Sequence, residues 1–305
     1  MIKKANLFIV GAAKCATTSL VYYLSQHKDI FFSKIKEPHY FCEDINRQHF
    51  RNNYKSYINR ERKKYYKNGW AHILHISSEK EYNALYDLVS GETVIGEAST
   101  GYLFSTDAAI NIKKYNSKAK IIIILRDPVD RAVSHYNMDI RDGRIFSKNM
   151  LKEMMKDYGK KKKGWGISNL YIELGMYSAQ VMRYLEVFPR KQIKIINYND
   201  LMVDANGVMN SICDFLEVER CDFLLEEKLN VASKPKNYFL FYIACKIKGV
   251  VPAFFKKNIK KHLTENGGVF LSSSGRSELY NIYREDINKL EEAVKINFNW
   301  CKENE

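Results

Sequence analysis

The 305-residue sequence predicts an α/β fold: a single domain with a central parallel sheet flanked by helices. Three observations predict it. Short apolar runs alternate with helical patterns along the chain. The run KIIIIL, residues 120–125, is β-branched and apolar on both faces, as a central parallel strand requires. The stretch LFIVGAAKCATTSL, residues 7–20, carries a strand through a small-residue turn into a helix.

Taken in order, Leu7–Val10 reads as a buried strand. Residues 18–27 read as a helix with Leu20, Tyr23, Leu24 and His27 on one face. DIFFS (29–33) and TVIGEAS (93–99) supply two more strands. After KIIIIL, Asp127-Pro128 ends the strand and starts a helix, with proline at a favourable first-turn position. Residues 170–188 read as a helix, IKIINY (193–198) as a strand and 204–217 as a helix. Parallel strands joined this way need right-handed crossovers.

Three stretches break the alternation. Residues 45–75 are basic and aromatic and read as an inserted surface segment. GKKKKGWG (159–166) is a glycine-flanked charge run and reads as an exposed mobile loop. Residues 238–263 set apolar side chains among Lys246, Lys248, Lys256, Lys257, Lys260 and Lys261. A buried helix with basic flanks accounts for them; contact with an anionic membrane surface is the other reading. No linker splits the chain, so residues 1–305 read as one domain.

Hydrophobic content of 46% and charged content of 28% are those of a soluble globular protein. Against 35 Asp+Glu stand 49 Lys+Arg, a net charge of +14. That balance attracts nucleotides, nucleic acid, acidic glycans or anionic membranes and does not choose among them. Cys15, Cys42, Cys213, Cys221, Cys245 and Cys301 form no CxxC pair and no Cys/His cluster at ligand spacing. No metal site is expected, and the pattern argues for a reducing, cytoplasmic location. The N-terminal residues lack a signal-peptide layout. The apolar stretch 238–255 is interrupted by Lys246, Lys248 and Pro252, so no membrane span is expected.

The turn after the first strand is a recipe for binding an oxyanion. Unpaired N–H groups at the helix start point into it, and the helix dipole adds positive potential. After Gly11, Ala12, Ala13 and Ala16 keep it narrow, and Lys14, next to Cys15, supplies a full charge. Thr17, Thr18 and Ser19 add hydroxyls that can cap the helix. In ATP-type loops the lysine adjoins the Ser/Thr that holds magnesium. Here Lys14 is separated from Thr17, and Arg126, not an acid, follows KIIIIL. This suggests metal-free binding of a polyanion; a plain turn with a surface lysine is the competing reading.

LRDPVDRAVSHY (125–136) lies at the C-terminal end of the best strand, where ligands of α/β sheets bind. Arg126 can fork onto a phosphate. Ser134 follows at roughly 12 Å along the helix, and a folded-back turn would let both touch one group. Asp127 and Arg131, four apart, suit an ordinary helix-start ion pair.

GAAKCATTSL together with LRDPVDRAVSHY resembles the two nucleotide-binding signatures of the sulfotransferases that use 3′-phosphoadenosine 5′-phosphosulfate (PAPS). KEPHYF (36–41) resembles the catalytic-base segment of glycan-modifying members, including the heparan-sulfate type. GEASTGYL (96–103) and LGMYSAQVMRYLEVFPRKQIKIINYNDL (174–201) extend the resemblance along most of the chain. The resemblance implies a P-loop-like nucleotide-binding fold, PAPS as donor, 3′,5′-adenosine bisphosphate (PAP) as product and no metal. It implies a bacterial cytosolic enzyme that sulfates a saccharide of a capsule, lipopolysaccharide or lipid-linked glycan, with no nucleic-acid partner; on the membrane reading of segment 238–263, that segment would lie on the anionic inner leaflet beside a lipid-linked acceptor. Residues 11–19 would hold the 5′-phosphosulfate, with Lys14 on the leaving phosphate. Arg126 and Ser134 would hold the 3′-phosphate. Ser274-Gly275-Arg276 matches the family's C-terminal basic loop and adds Arg276.

Glu37 is the implied general base, kept ionised beside Lys14. His39, on the same side of an extended stretch, would orient the acceptor or replace Glu37. A surface Glu37 paired with Lys34 or Lys36 is the competing reading. Glu97 is a second acid with a structural role expected. Two departures stand out: Ala16 replaces the family's glycine, and Ala98 replaces a lysine common in glycan-modifying relatives. The alternatives are a magnesium-dependent kinase on a related fold and a non-catalytic nucleic-acid-binding protein. The early lysine and Arg126 speak against the first; the second leaves Arg126, Ser134 and Glu37 unexplained.

Overall fold

A computed structural model describes residues 3–46, 50, 52–69, 71–147, 149–225, 233–246 and 263–300. The first elements are β1 (Leu7–Gly11), α1 (Thr17–Leu24), β2 (Ile30–Phe32), β3 (Ile35–Glu37), α2 (Glu43–Asn46), α3 (Asn52–Asn68) and β4 (Ala71–Ile73). Then come α4 (Glu79–Asn83), β5 (Val94–Ala98), α5 (Gly101–Phe104), α6 (Ala108–Tyr115), β6 (Lys120–Leu125), α7 (Pro128–Arg141) and α8 (Met150–Tyr158). The rest are α9 (Tyr177–Val187), β7 (Ile193–Asn197), α10 (Tyr198–Val203), α11 (Ala205–Leu216), β8 (Ser233–Pro235), α12 (Tyr238–Lys246), β9 (Thr264–Asn266) and α13 (Ser273–Val294).

The apolar runs become one five-stranded sheet of order β2-β5-β1-β6-β7, with every neighbouring pair parallel. β1 lies centrally with β5 and β6 on its flanks, and Leu7–Val10 and Ile121–Leu125 are fully buried. Continuous apolar runs suit this position because helices cover both faces of the sheet. Each of the five expected strands forms where the apolar pattern places it.

The differences have local causes. The helix expected over 170–188 begins only at Tyr177. Leu170 adopts a left-handed backbone (φ 56°), and Glu173–Gly175 forms a short 3-10 turn. Segment 45–75 is more than surface. It holds α3 and β4; β4 pairs in parallel with β3, and Ile58, Glu61, Ala71 and Ile73 are buried. In the 159–166 run the lysines at 160–162 are exposed, but Gly164 is buried and the Trp165 ring packs against His39 and Phe104. Of segment 238–263, residues 247–262 lie outside the described residues. Among the described residues no helix is long and apolar enough to cross a membrane.

The start of α7 shows how sequence fixes a helix end. Asp127 is its N-cap: Oδ1 accepts the Val129 and Asp130 N–H groups at 2.9 and 3.0 Å, and Pro128 opens the first turn. The Tyr280 hydroxyl donates to Oδ2 at 2.6 Å, tying α13 to the same acid. Asp127→Ala should therefore lower stability by about 1–2 kcal/mol. Urea denaturation checks it; an unchanged midpoint would mean that water replaces the cap without loss.

Candidate functional site

The C-terminal ends of β1, β3, β5 and β6 deliver the chemistry-bearing residues. β1 ends at Gly11, where a Cβ would lie 2.7 Å from the Leu103 Cβ, so only glycine fits. Ala12 N–H then donates to the Ile124 carbonyl at 2.7 Å, which holds the turn against β6. Lys14 and Ala16 both take left-handed backbones, φ 72° and 61°. Ala16, not a hydroxyl residue, is the N-cap of α1, and it provides no side-chain cap. The expected capping by Thr17, Thr18 or Ser19 is thus corrected: these residues sit inside the first turn. Their amide groups, in the first turn, have no intrahelical acceptor, and the helix dipole adds positive potential there. The left-handed cap also explains why a glycine was expected at Ala16; a methyl there costs about 1 kcal/mol.

Lys14 leads from this turn to α7, its Nζ 3.3 Å from the Met138 Sδ. Burial, with repulsion from Arg141, lowers its ammonium to about 8 against the pull of Asp142 and Asp139. Cys15 points inward instead; it is fully buried, with Sγ 3.9 Å from the Tyr177 hydroxyl.

Glu37 closes β3 and is only 5% exposed. Lys36 Nζ donates to its Oε1 at 2.9 Å, and the Thr100 hydroxyl donates to Oε2 at 3.2 Å. His39 Nε2 lies 3.7 Å from Oε2. Burial pushes the carboxyl up, but Lys36, with His39 and His72 behind it, outweighs burial and holds it at about 2. Two expectations change. Lys36, not Lys14, keeps Glu37 ionised. The Lys36 pairing exists, but at a buried carboxylate rather than a surface one. Lys36 also reaches the anion turn, with Nζ 3.5 Å from the Thr17 Oγ1.

His39 arrives by a different route from the one expected. Its backbone is left-handed (φ 51°), not extended, and this curl returns the ring toward Glu37, with Nδ1 3.1 Å from the Glu37 carbonyl. Gly101 makes room, since a Cβ there would lie 2.7 Å from the His39 ring. Burial lowers the His39 pKa, with Glu37 opposing, so the ring is neutral near pH 7. The His75 ring stacks on it at 4.9 Å. The Tyr54 hydroxyl lies 3.1 Å from the His75 Nε2 and accepts from the Trp165 Nε1–H at 2.9 Å. Segments 45–75 and 159–166 thus form the outer wall of the site.

Glu97 is a buried core acid. Tyr82 and Ser99 donate to it at 2.5 and 2.8 Å, and burial lifts it to about 7 despite those bonds. Ser99 in turn accepts the His39 N–H at 3.3 Å. The residues that sequence reasoning missed are Lys36 as a working group, Thr100, His72, His75, Tyr54 and Trp165. The pairing of two three-residue strands, β3 and β4, brings several of them in, and such short strands leave no periodic signal.

The second expected anion position follows β6. The Arg126 guanidinium lies 4.5 Å over the Tyr198 ring, and its backbone carbonyl accepts from the Tyr177 hydroxyl at 3.0 Å. Among the described residues its buried Nε has no hydrogen-bond partner. Ser134 is half-buried on α7. Arg276 lies in the first turn of α13, pairs with Asp130 at 2.9 Å and donates to the Tyr280 hydroxyl at 3.2 Å. It therefore stands beside α7 one turn before Ser134. The expected Asp127–Arg131 pair is replaced. Arg131 is fully buried and donates to the Tyr171 carbonyl, while Asp127 caps α7.

Residues 4–234 match the Sulfotransferase domain family. A sulfotransferase from Alicyclobacillus acidocaldarius shares the fold at a TM-score of 0.73 and 28% identity, over 97% of this chain and 98% of that one. Human carbohydrate sulfotransferase 15 is 24% identical over 253 residues, covering 70% of this chain and 44% of its own length. Human heparan sulfate glucosamine 3-O-sulfotransferase 3B1 is 23% identical over 233 residues, covering 75% of this chain and 50% of its own. The chain thus spans about half the length of these two relatives.

The left-handed cap gives a direct test of the turn. Ala16→Gly should raise stability by about 1 kcal/mol, by relieving the Cβ clash of that backbone. The urea midpoint measures it; a fall would mean that the methyl's packing on the core outweighs the strain.

Proposed function

The chain belongs to the sulfotransferase domain family, and we propose that it moves a sulfonate group from PAPS to a saccharide hydroxyl. One observation carries this reading: a buried, ionised carboxylate, Glu37, stands within one lysine's reach of an uncapped helix turn. Two cationic positions, at the ends of β1 and β6, suit a nucleotide with phosphates at both ends. The partnerless buried Nε of Arg126 fits such a ligand.

Residues 11–19 would hold the 5′-phosphosulfate, and Arg126, Ser134 and Arg276 the 3′-phosphate. The donor supplies an electrophilic sulfonate and a stable leaving phosphate. Glu37 accepts the proton that the acceptor hydroxyl loses as its oxygen bonds to sulfur. The bond from sulfur to the bridging oxygen breaks, and its electron pair leaves with the 5′-phosphate. Lys14 and the amides of Thr17, Thr18 and Ser19 face that developing charge. His39, neutral and buried, would orient the acceptor or replace Glu37 as base.

The carbohydrate acceptors named for the two human relatives support a saccharide here. A capsule, lipopolysaccharide or lipid-linked glycan is the acceptor class we favour. The free thiols of Cys15, Cys42, Cys213 and Cys221 fit a reducing, cytoplasmic setting, with the inner membrane as the place of peripheral contact.

Thermal shifts with PAP, AMP and ATP, each with and without Mg²⁺, test the donor. PAP should stabilise most, without metal. A preference for ATP with Mg²⁺ would establish the kinase reading, and steeply salt-dependent nucleic-acid binding without turnover the third one. Glu37→Ala should abolish transfer while the PAP shift persists; transfer within a few-fold of wild type would remove Glu37 as the base.

The pH profile gives a separate check. The Lys14 ammonium loses its proton near pH 8, so kcat/KM for the donor should fall as pH rises through that value. Lys14→Arg should carry the alkaline limb upward. A limb that stays in place would belong to another group.

A further inference from the structure

Lys36 stands between the two halves of the proposed reaction. Its Nζ lies 2.9 Å from the Glu37 Oε1 and 3.5 Å from the Thr17 Oγ1, on a side chain only 10% exposed. The first contact belongs to the base, the second to the anion turn. Thr100 occupies the other carboxylate oxygen. Glu37 therefore has both oxygens engaged by donors, and a carboxylate so held is a poor proton acceptor.

The second partner resolves this. The Lys36 charge also bears on Lys14, as the smallest of the influences that lower its ammonium. Two ammonium groups beside the first-turn amides of α1, which have no acceptor within the helix, make a turn that gains from an anion between them. An anion there competes with Glu37 for Lys36, and a short swing toward Thr17 brings the ammonium to it.

We propose that Lys36 is a further catalytic residue of this site: when the donor's anionic group occupies the α1 turn, Lys36 transfers from Glu37 to that group and releases Glu37 to act as base. The inference rests on the donor-binding reading above. It links the order of events to chemistry, because the base is strengthened only with donor in place. Proton transfer is then prepared before the acceptor commits. The other groups facing Glu37 are His39 from the turn after β3, His72 from β4 and Thr100 before α5. His39 and His72 both have lowered pKa values, burial being the first cause in each, so Lys36 is the main cation that can leave.

The test follows the Glu37 carboxyl by ¹³C NMR of glutamate-labelled protein, with Glu37→Gln to assign the signal. In the free protein the carboxyl should titrate near 2. With saturating PAP its apparent pKa should rise by more than one unit. Lys36→Met should raise it without PAP and leave less than half of the PAP-induced rise. Lys36→Arg gives a second variant if Lys36→Met does not fold. It preserves the ion pair but grips both carboxylate oxygens. It should bind PAP normally and lower kcat about tenfold with little change in the donor KM. A merely structural pair predicts near wild-type kcat for Lys36→Arg. Glu37 unmoved by bound PAP, or an equal PAP-induced rise in Lys36→Met, would overturn the inference and leave the donor reading intact. Failure of PAP to bind at all would overturn both.

Discussion

A carboxylate withdrawn from water has to be paired, and Glu37 is withdrawn almost completely. The buried Lys36–Glu37 pair is the constraint around which the site is built. Each partner alone would be an uncompensated charge, and removing one partner of such a pair typically destabilises by about 3–5 kcal/mol. Neighbouring elements accordingly converge on it. β4 pairs with β3 and covers its outer side, Thr100 from the end of β5 supplies a hydroxyl, and Gly101 leaves space for the His39 ring. The left-handed backbone at His39 is part of the same packing, since it turns the imidazole back over Glu37.

The sheet explains how distant segments meet there. β1 is central, so its C-terminal turn has β5 on one side and β6 on the other. Parallel strands place all their C-terminal ends on one edge. The anion turn, Thr100 and Arg126 then share that edge without any long loop. Gly11, pressed against Leu103, and the Ala12 bond to Ile124 keep the turn low on the sheet. The C-terminal helix α13 completes the far side through Tyr280 on Asp127 and Arg276 on Asp130. One acid, Asp127, thus sets both the start of α7 and the seat of α13.

Most of the fold was legible because its signals are local. Four consecutive isoleucines can hardly be anything but a buried strand, and Asp-Pro after them marks a helix start. The anion turn was legible for the same reason: Gly11, Lys14 and the threonines lie within eight residues. What was not legible depends on contacts between distant segments. The proposed role of Lys36 needs the position of Thr17, and the contacts among Tyr54, His75 and Trp165 join segments far apart in the chain. The left-handed backbone at Ala16 is likewise set by packing, since alanine does not favour that conformation by itself, and at His39 no local turn signal marks it.

Two buried acids lie close in the fold, and their environments drive them apart. Glu97 is surrounded by neutral hydroxyls, so burial wins and its carboxyl rises to about 7. Glu37 has an ammonium, so pairing wins and its carboxyl falls to about 2. A value near 7 is the usual mark of an acid–base residue, and by that criterion alone Glu97 would be chosen. Geometry favours Glu37 for the proposed role. Glu97 is 1% exposed and bonded to Tyr82 and Ser99 in the core. Its contribution runs through Ser99, which holds the His39 N–H. Glu37 lies at the end of its strand, one lysine away from the anion turn. A base must first reach the proton it removes, and its affinity for that proton comes second.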